Sequence, residues 1–396
     1  MSSQYEDAKE RPWKKEEFPY LALWLEKRKE LVEKLVDISK TRTGYYHPLT
    51  KKDESGRTTI TIQLPQVQSV LSTGRLFEIQ GNLDFTNGKF DHAFECAFSS
   101  LRIGKTMQNG GTCLVEELIG IALTRMGDRQ LTVYLADLAQ KKDAAWILQK
   151  KKEFDAIALQ EEPAPAPPNW CTSERMCALS VIQQLAVDTN FREKTLVELF
   201  ELKDEWLKKY GDVFAADKNL DWNEMMRQIN RWYDDVEDIF SPPSLFRQRN
   251  AIDRLDKRLI RFTKENETDT AAKVVLMMLM PGVQVYHNAF DRNLWERRTT
   301  SIAFSLAAYR ADHNGKNPDT LNELIPKYIE SIPVSPSTGK PMRYVKRLND
   351  ALIANNDRFK LDGSEADVEK AIAETPSGKR AAIHSSTDYI FVVQKN

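Results

Sequence analysis

The sequence predicts a mainly α-helical fold, an irregular helical bundle that contains repeat-like helical hairpins and ends in a small α+β module. Three observations lead to this prediction. Most of the 396 residues lie in segments whose apolar side chains recur with the period of an amphipathic helix. Glycine and proline turn signals divide these segments from one another. Strand-like alternation is confined to short runs, most of them near the C-terminal end.

The N-terminal region, residues 1–160, opens with a predicted amphipathic helix over residues 18–39. Its apolar stripe includes Val32 and Val36, which recur at helical spacing. The segment Thr58–Leu64 (TTITIQL) alternates between apolar and polar residues instead. This alternation predicts a brief extended arm or an edge strand.

A predicted helical hairpin follows within the same region. Turn signals at Thr86–Gly88 and Gln108–Gly111 separate its helices. The phrase Gly88–Phe94 (GKFDHAF) combines a glycine, an aromatic residue, an acid and a small alanine at a helix junction. Tetratricopeptide-like hairpins use this combination because the small alanine lets adjacent helices approach closely. No clean repeat period accompanies the phrase, so a concave peptide-binding groove and simple packing both stay open.

Consecutive prolines mark the clearest boundary in the chain, a predicted linker over residues 161–168 (EEPAPAPP). Proline removes backbone donors and favours an extended conformation, so no helix crosses this segment. Beyond it we predict a second helical region over residues 169–290 and an α+β module over residues 291–396. Helices are predicted at residues 173–187, 193–209, 220–240, 244–265, 269–288 and 292–312.

The predicted C-terminal module begins with the helix that ends at the glycine stop Gly315. Asn317 and Pro318 are predicted to open a second helix over Leu321–Ile325, and a short strand-like run ends at Tyr344.

Later elements complete this module: a helix at Ser364–Glu374 and a strand at Asp388–Val393 (DYIFVV). We predict that Lys340–Tyr344 and the DYIFVV strand pair as a small antiparallel sheet against the helix around Leu306.

The order helix, G-x-x-P, helix, I-P-x-x-P-x-x-G-K-P and strand in residues 297–344 resembles a region of type II secretion pseudopilins. The resemblance covers about 50 residues. In pseudopilins the comparable sheet contributes to subunit contacts, so the resemblance implies a protein-interaction role. Ser335 stands where such proteins often carry an aspartate. Metal binding and pilus assembly are therefore not implied.

Phrases spread along the whole chain resemble a large uncharacterised family of planctomycete-type bacterial proteins. The phrases are WLEKRKELV (24–32), GKFDHAF (88–94), LVEELIGIA (114–122), ERMCAL (174–179), DWN (221–223), NRWYD (230–234) and LAAYRADH (306–313). Members of that family often carry an N-terminal export or anchor segment. The resemblance therefore implies location more than function.

The balanced charge limits the kinds of partner. With 57 Lys and Arg against 58 Asp and Glu, the chain has a formal net charge of −1. This balance argues against a protein that coats nucleic acid, and local basic runs such as Lys150–Lys152 are interpreted as solvated helix faces.

A direct membrane span is not expected. The most apolar stretch, Val274–Val283, is shorter than the roughly 20 residues that a bilayer requires. We expect the cell envelope or a periplasm-like compartment if an N-terminal anchor has been removed, and the cytoplasm otherwise.

Common catalytic and ligand motifs are missing from the sequence, including phosphate-binding glycine loops, zinc-protease helices and nucleophile elbows. The five histidines are isolated, and the four cysteines lack the spacing of a zinc site. We therefore expect no cofactor and no metal. Cys171 and Cys177 are interpreted as structural, with a disulfide left open.

Carboxylates provide the remaining candidates for a site. Asp234 and Asp238 share a helix face in RWYDDVEDIF, where they can hold a hard cation or act as an acid and base pair. The simpler interpretation places these acids in water or beside arginines such as Arg227, Arg231 or Arg247. Glu116, in LVEELIG, must be paired or exposed among apolar neighbours, and Arg175 is one possible partner.

We predict from these patterns a non-catalytic protein-interaction or scaffold protein associated with the bacterial cell envelope or secretion, with an unidentified protein as partner. One alternative is a carboxylate- or metal-dependent hydrolase with a site at residues 234–238, which requires a concave pocket with convergent acids. Another alternative is a carrier of a small ligand or a lipid, which requires a sizeable cavity between helices.

Overall fold

The computed structural model describes residues 2–45, 65–159, 168–189, 221–241, 248, 251, 252, 254, 255, 257, 282–336, 339–346, 350–354, 379–385 and 388–395. The helices delimited within these residues are α1 Ser2–Glu10, α2 Pro19–Glu26, α3 Lys29–Thr41, α4 Pro65–Thr86, α5 Phe90–Gly110, α6 Leu114–Leu138, α7 Ala144–Ala158, α8 Asn169–Val187, α9 Trp222–Phe240 and α10 Val283–Asp312. The predicted mainly α fold is confirmed.

Some predicted segments lie wholly or mostly outside the described residues. These are the strand at residues 58–64, the linker at 161–168 and the helices at 193–209, 244–265, 269–288 and 364–374.

The prediction of one helix over residues 18–39 was wrong, because the chain breaks between α2 and α3. Pro19 begins α2, and the backbone N–H groups of Lys27 and Arg28 donate to the carbonyls of Leu23 and Leu25 in a tight turn. Helical spacing of the buried residues continues across this turn. The apolar pattern therefore gives no sign of the break.

Helices α4, α5 and α6 form consecutive antiparallel hairpins at the centre of the molecule. Gly88 adopts a positive φ of 74° in the turn between α4 and α5, which confirms that turn signal. Helices α5 and α6 approach so closely that a Cβ on Gly104 would lie 2.6 Å from the Gly120 carbonyl oxygen. Two glycines facing each other thus set the spacing of this helix pair.

Helix α10 is one continuous helix of 30 residues. The prediction of separate helices divided near residue 290 was wrong, since no glycine or proline interrupts residues 283–312. Its first turns pack with α8 and α9 through Val283 and Tyr286. Its later turns pack with α5, α6 and α7 through residues such as Ile302 and Phe304. The helix therefore joins two apolar cores.

Helices α8 and α9 build the first of these cores. Trp170, Ile182, Trp232 and Tyr233 are among its buried members. Helix α8 begins at Asn169, so the prediction of a start near residue 173 was wrong. A third core joins α1, α2 and α3 to α4 and α5.

The C-terminal module follows the predicted stop at Gly315, whose φ is 82°. The expected second helix is only the 3-10 turn Leu321–Leu324, closed by a capping box between Thr320 and Glu323. Pro326 lacks a backbone N–H, and this prevents the turn from continuing as an α-helix.

Four antiparallel strands, β1 Arg343–Lys346, β2 Asp350–Ala354, β3 Lys379–Ser385 and β4 Asp388–Lys395, form a sheet in the order β1-β2-β4-β3. The predicted DYIFVV strand lies within β4, but the predicted direct pairing with the strand after Lys340 was wrong because β2 lies between them. Ile353 of β2 pairs with Tyr344 and Phe391 in register. Ile353 also belongs to the apolar core that contains Leu306, as expected for a sheet near that helix.

Candidate functional site

The acids predicted from α9 lie on its solvent side. Asp234 is 62% exposed and pairs with Arg175 of α8, which also contacts Glu237 at 3.5 Å. Asp238 is exposed as well. The neighbouring Trp232 and Tyr233 are buried in the apolar core rather than lining a pocket. An exposed, ion-paired arrangement of this kind agrees with the simpler interpretation, although the partner is Arg175.

Glu116 is fully buried near the start of α6. Its carboxylate accepts a hydrogen bond from the Tyr45 hydroxyl and another from the Thr112 backbone N–H at 2.9 Å. Arg175 was considered as a partner and instead pairs with the α9 acids. These hydrogen bonds connect the loops that contain Tyr45 and Thr112 to the start of α6. This is a structural role for Glu116.

Glu117, the next residue, is a second buried acid on α6. The Tyr286 hydroxyl donates to its Oε2 at 2.8 Å. Burial raises the pKa of Glu117 to about 7, and hydrogen bonds from Tyr286 and the Trp170 backbone oppose that rise. Protein donors therefore satisfy this carboxyl in part.

Histidine and cysteine do not build a site among the described residues, where no group of three or more metal-ligating side chains gathers. Cys171 and Cys177 are both free thiols on α8. His92 lies between two acids, with Nδ1 2.7 Å from the Asp84 carboxylate and Nε2 3.6 Å from that of Glu33. It therefore links α5 to α4 and α3. No helix in the described ranges has the length and apolar character needed to cross a membrane.

A cavity of about 470 Å³ opens between α1, α4, α6 and α10. We call it the polar cleft, and it is defined by the lining residues Lys9, Glu10, Arg75, Glu78, Ala122, Arg125, Met126, Asp128, Arg129, Thr132, Trp295, Glu296, Thr299 and Thr300. None of the carboxylates predicted from the sequence lines it. Its volume is within the range of small-molecule sites.

Asp128 is the most unusual residue of the polar cleft. Neither of its carboxyl oxygens has a hydrogen-bond partner among the described residues, and its side chain is almost fully buried. Burial raises the pKa of Asp128 to about 8, while the positive charge of Arg297 opposes the rise. This carboxyl is therefore mostly protonated at neutral pH.

The Thr300 hydroxyl lies close to this carboxyl. Its polar interaction with Asp128 lowers the pKa of that group, but less than the charge of Arg297 does. The Thr300 Oγ1 lies 2.9 Å from the Glu296 backbone carbonyl and donates its proton there. The described protein atoms thus leave Asp128 without a full donor.

Two ion-pair systems frame the polar cleft. Arg125 holds Glu296 through two hydrogen bonds, of 2.7 and 3.2 Å. Arg129 bridges Glu10, at 3.0 Å, and Glu78. Burial raises the pKa of Glu78, and the charge and hydrogen bond of Arg129 oppose that rise. Both guanidinium groups are therefore occupied by carboxylates of the protein itself.

Arg75 differs from these two arginines. It lines the polar cleft and is exposed, and it forms no hydrogen bond or ion pair with another described residue. Arg75 is thus a cationic group that the described part of the protein does not neutralise by direct contact.

Sequence reasoning missed this cleft, although a signal exists in α6. Arg125, Asp128, Arg129 and Thr132 recur at i, i+3, i+4 and i+7, which places one polar stripe on an otherwise largely apolar helix. Glu296, Thr299 and Thr300 repeat the start of this spacing on α10. Two facing polar stripes on buried helices are the pattern that predicts a polar cavity.

Comparison with known proteins identifies no similar protein. No protein-family model, no curated protein and no solved structure matches the chain.

Proposed function

We propose that the protein binds a small organic anion in the polar cleft. The observation that carries this proposal is the uncommitted Arg75 at a cavity of about 470 Å³. This function develops the small-ligand carrier predicted as an alternative from the sequence. We propose a small polar ligand instead of a lipid, because charged side chains line the cleft on every helix that forms it.

Charge counting supports the preference for an anion. The cleft is lined by the cations Lys9, Arg75, Arg125 and Arg129 and by the acids Glu10, Glu78, Asp128 and Glu296. Because the Asp128 carboxyl is mostly neutral at pH 7, the lining carries an excess of positive charge. An arginine fork matches carboxylate and phosphate groups in geometry.

Thermal unfolding in the presence of acetate, succinate, citrate and inorganic phosphate tests this proposal. A ligand at 100 times its Kd stabilises a folded protein by about 2.7 kcal/mol. We expect at least one anion to raise the Tm of the wild type. Arg75→Gln should weaken that anion roughly 10- to 100-fold, since a hydrogen bond to a charged group is lost.

Arg231→Gln provides the matched control, because Arg231 is an exposed arginine on α9 that pairs with Glu224. It carries the same charge change as Arg75→Gln and should leave anion binding unaltered. The proposal fails if no anion raises the Tm, or if both variants weaken the anion equally.

The protein-interaction or scaffold role is a second proposal, supported by exposed apolar side chains on α2 and α3. Tyr20 is 76% exposed, and Leu23, Leu31 and Ile38 are each close to half exposed. Contiguous exposed apolar patches mark contact surfaces, and the proposal places these four side chains in such a patch. A location at the bacterial cell envelope is proposed with it and depends on the sequence resemblance alone.

A comparative pull-down from membrane and soluble fractions of source cells tests the second proposal. The double variant Leu31→Glu, Ile38→Glu should lose any stoichiometric partner that the wild type retains. Val285→Glu, at a 64% exposed position on α10, is the control and should retain it. Equal recovery with both variants would contradict a contact through α3.

A further inference from the structure

We propose that the occupant of the polar cleft is an amphoteric, amino-acid-like molecule whose ammonium group donates hydrogen bonds to Asp128 while its acidic group pairs with Arg75. This inference rests on the anion-binding function proposed above and adds a second recognition group to it. The chemical class of the ligand is inferred from the hydrogen-bond donors that the cleft does not supply to Asp128.

The cleft lacks hydrogen-bond donors for Asp128. An ionised carboxylate accepts hydrogen bonds at about four lone-pair positions, and neither Asp128 oxygen receives a hydrogen bond from a described residue. The cations on its own helix, Arg125 and Arg129, direct their guanidinium groups to Glu296, Glu10 and Glu78. The missing donors must therefore come from outside the described protein.

A buried carboxyl without donors is costly, which makes such a residue informative. An unsatisfied buried polar group destabilises the folded protein, and acids with strongly shifted pKa values in clefts cluster at functional sites. Thr299 Oγ1 on the facing helix α10 is also buried without a partner. Two unsatisfied polar groups thus face a cavity large enough for a small molecule.

Several charges act on Asp128 from the surrounding helices. They are Arg125 and Arg129 on α6, Glu296 and Arg297 on α10, Arg75 and Glu78 on α4, and Lys9 and Glu10 on α1. Lys9, Arg125 and Arg129 pair with the carboxylates of Glu6, Glu296, Glu10 and Glu78, and Arg297 donates to Gln108 at 3.2 Å. A zwitterion supplies an acidic group to Arg75 and an ammonium group to Asp128 in one molecule.

Binding of an ammonium group has a consequence for protons. In the free protein the Asp128 carboxyl holds a proton at neutral pH. An ammonium group beside it stabilises the ionised carboxylate, so the carboxyl proton leaves to the buffer while the ammonium keeps its own. Each binding event at pH 7 should release close to one proton.

Titration calorimetry at pH 7 in Bis-Tris and in imidazole, two buffers that have neither an anionic group nor a primary ammonium group and that differ in ionisation enthalpy, measures this release. The probes are glycine, β-alanine, 4-aminobutyrate and 6-aminohexanoate, which scan the spacing between ammonium and carboxylate. Acetate, propionate, butyrate and hexanoate are the matched anions without an ammonium group. We expect one amino acid to bind at least 10-fold more tightly than its matched anion, with a buffer-dependent heat that reports proton release.

Two variants separate the roles of the groups. Asp128→Asn should abolish the proton release and bring each amino acid to the affinity of its matched anion. Arg75→Gln should weaken both probe series and retain the release for any amino acid that still binds.

Equal affinity of each amino acid and its matched anion, or binding without proton release, would overturn this inference and leave the anion-binding function standing. Binding of neither series, with water alone occupying the cleft, would overturn this inference for these probes. Failure of the phosphate, succinate and citrate series as well would overturn the proposed function.

Discussion

Two of the buried acids on helix α6, Glu117 and Asp128, differ in the supply of hydrogen-bond donors. Glu117 receives the Tyr286 hydroxyl at 2.8 Å and a backbone N–H of Trp170, whereas Asp128 receives no hydrogen bond from the described residues. Burial raises the pKa of both, to about 7 for Glu117 and about 8 for Asp128. The comparison shows that burial alone does not separate a structural acid from a functional one.

The acids of α9 represent a third situation. Asp234 and Asp238 are exposed, and Asp234 pairs with Arg175 in the solvent. Water satisfies their remaining lone pairs at little cost. Among these four acids, only at Asp128 do burial, a cavity and missing donors coincide in the described structure.

Replacement of Asp128 by asparagine should stabilise the free protein, and this is the largest expected effect. At pH 7 the folded protein must keep protonated a carboxyl that is ionised in the unfolded chain. With pKa values of about 8 and 3.8, the cost is on the order of 4 kcal/mol. Chemical denaturation at pH 7 should show an increase of up to about that size for Asp128→Asn.

Glu117→Gln is the matched control, because its carboxyl already has donors that an amide oxygen also accepts. It should change stability by a much smaller amount. A loss of stability in Asp128→Asn would contradict the assignment of Asp128 as an unsatisfied acid.

The pH dependence of the free energy of unfolding should report the raised pKa of Asp128. The folded pKa of Asp128 is raised above its unfolded value. Its contribution to the free energy of unfolding is therefore fully present below about pH 4 and is lost as the pH rises towards 8. Between these values the wild type should lose up to about 1.4 kcal/mol per pH unit relative to Asp128→Asn. If the stability curves of the two proteins run parallel from pH 4 to pH 8, the pKa of Asp128 is not raised.

Removal of the Tyr286 hydroxyl should leave the buried Glu117 carboxyl with fewer hydrogen-bond donors, which brings it closer to the situation of Asp128. Tyr286→Phe deletes the hydroxyl that donates at 2.8 Å, so the pKa of Glu117 should rise further and stability at pH 7 should fall by about 1–3 kcal/mol. Urea unfolding at pH 7 measures the change. Tyr309→Phe is the control, since the exposed Tyr309 hydroxyl donates to Glu323 at 2.9 Å and its loss should cost much less.

The exposed acids should matter least. Asp234→Asn breaks the pair with Arg175, but Asp234 is 62% exposed. Exposed ion pairs contribute about 0–1 kcal/mol, so the change in unfolding free energy should stay within that range. A loss above 2 kcal/mol would show that α9 depends on this pair in a way that its exposure does not suggest.

Local patterns predicted the mainly helical fold and two of its turns. Gly88 and Gly315 adopt positive φ values at these turns. Tertiary effects escaped these patterns. The α2–α3 break keeps helical spacing on both sides, and the position of β2 between β1 and β4 depends on pairing between strands distant in sequence.

The site was harder to predict than the fold. Sequence reasoning selected acids that stand close together, Asp234 and Asp238, and a conspicuous Glu116 among apolar residues. Asp128 lies in the less conspicuous phrase RMGDRQ, and its isolation from donors depends on where Arg125 and Arg129 direct their side chains. One sequence does not contain that information, because the partners Glu296, Glu10 and Glu78 come from three other helices.

Carbon-13 NMR of protein labelled at the aspartate carboxyl carbons tests the central claim most directly. The Asp128 signal, assigned by its absence in Asp128→Asn, should titrate near pH 8 in the free protein. It should shift to the ionised form at pH 7 when an amino acid occupies the polar cleft. A signal that titrates near pH 4 would contradict the claim, because it would show that protein groups or water already satisfy this carboxylate.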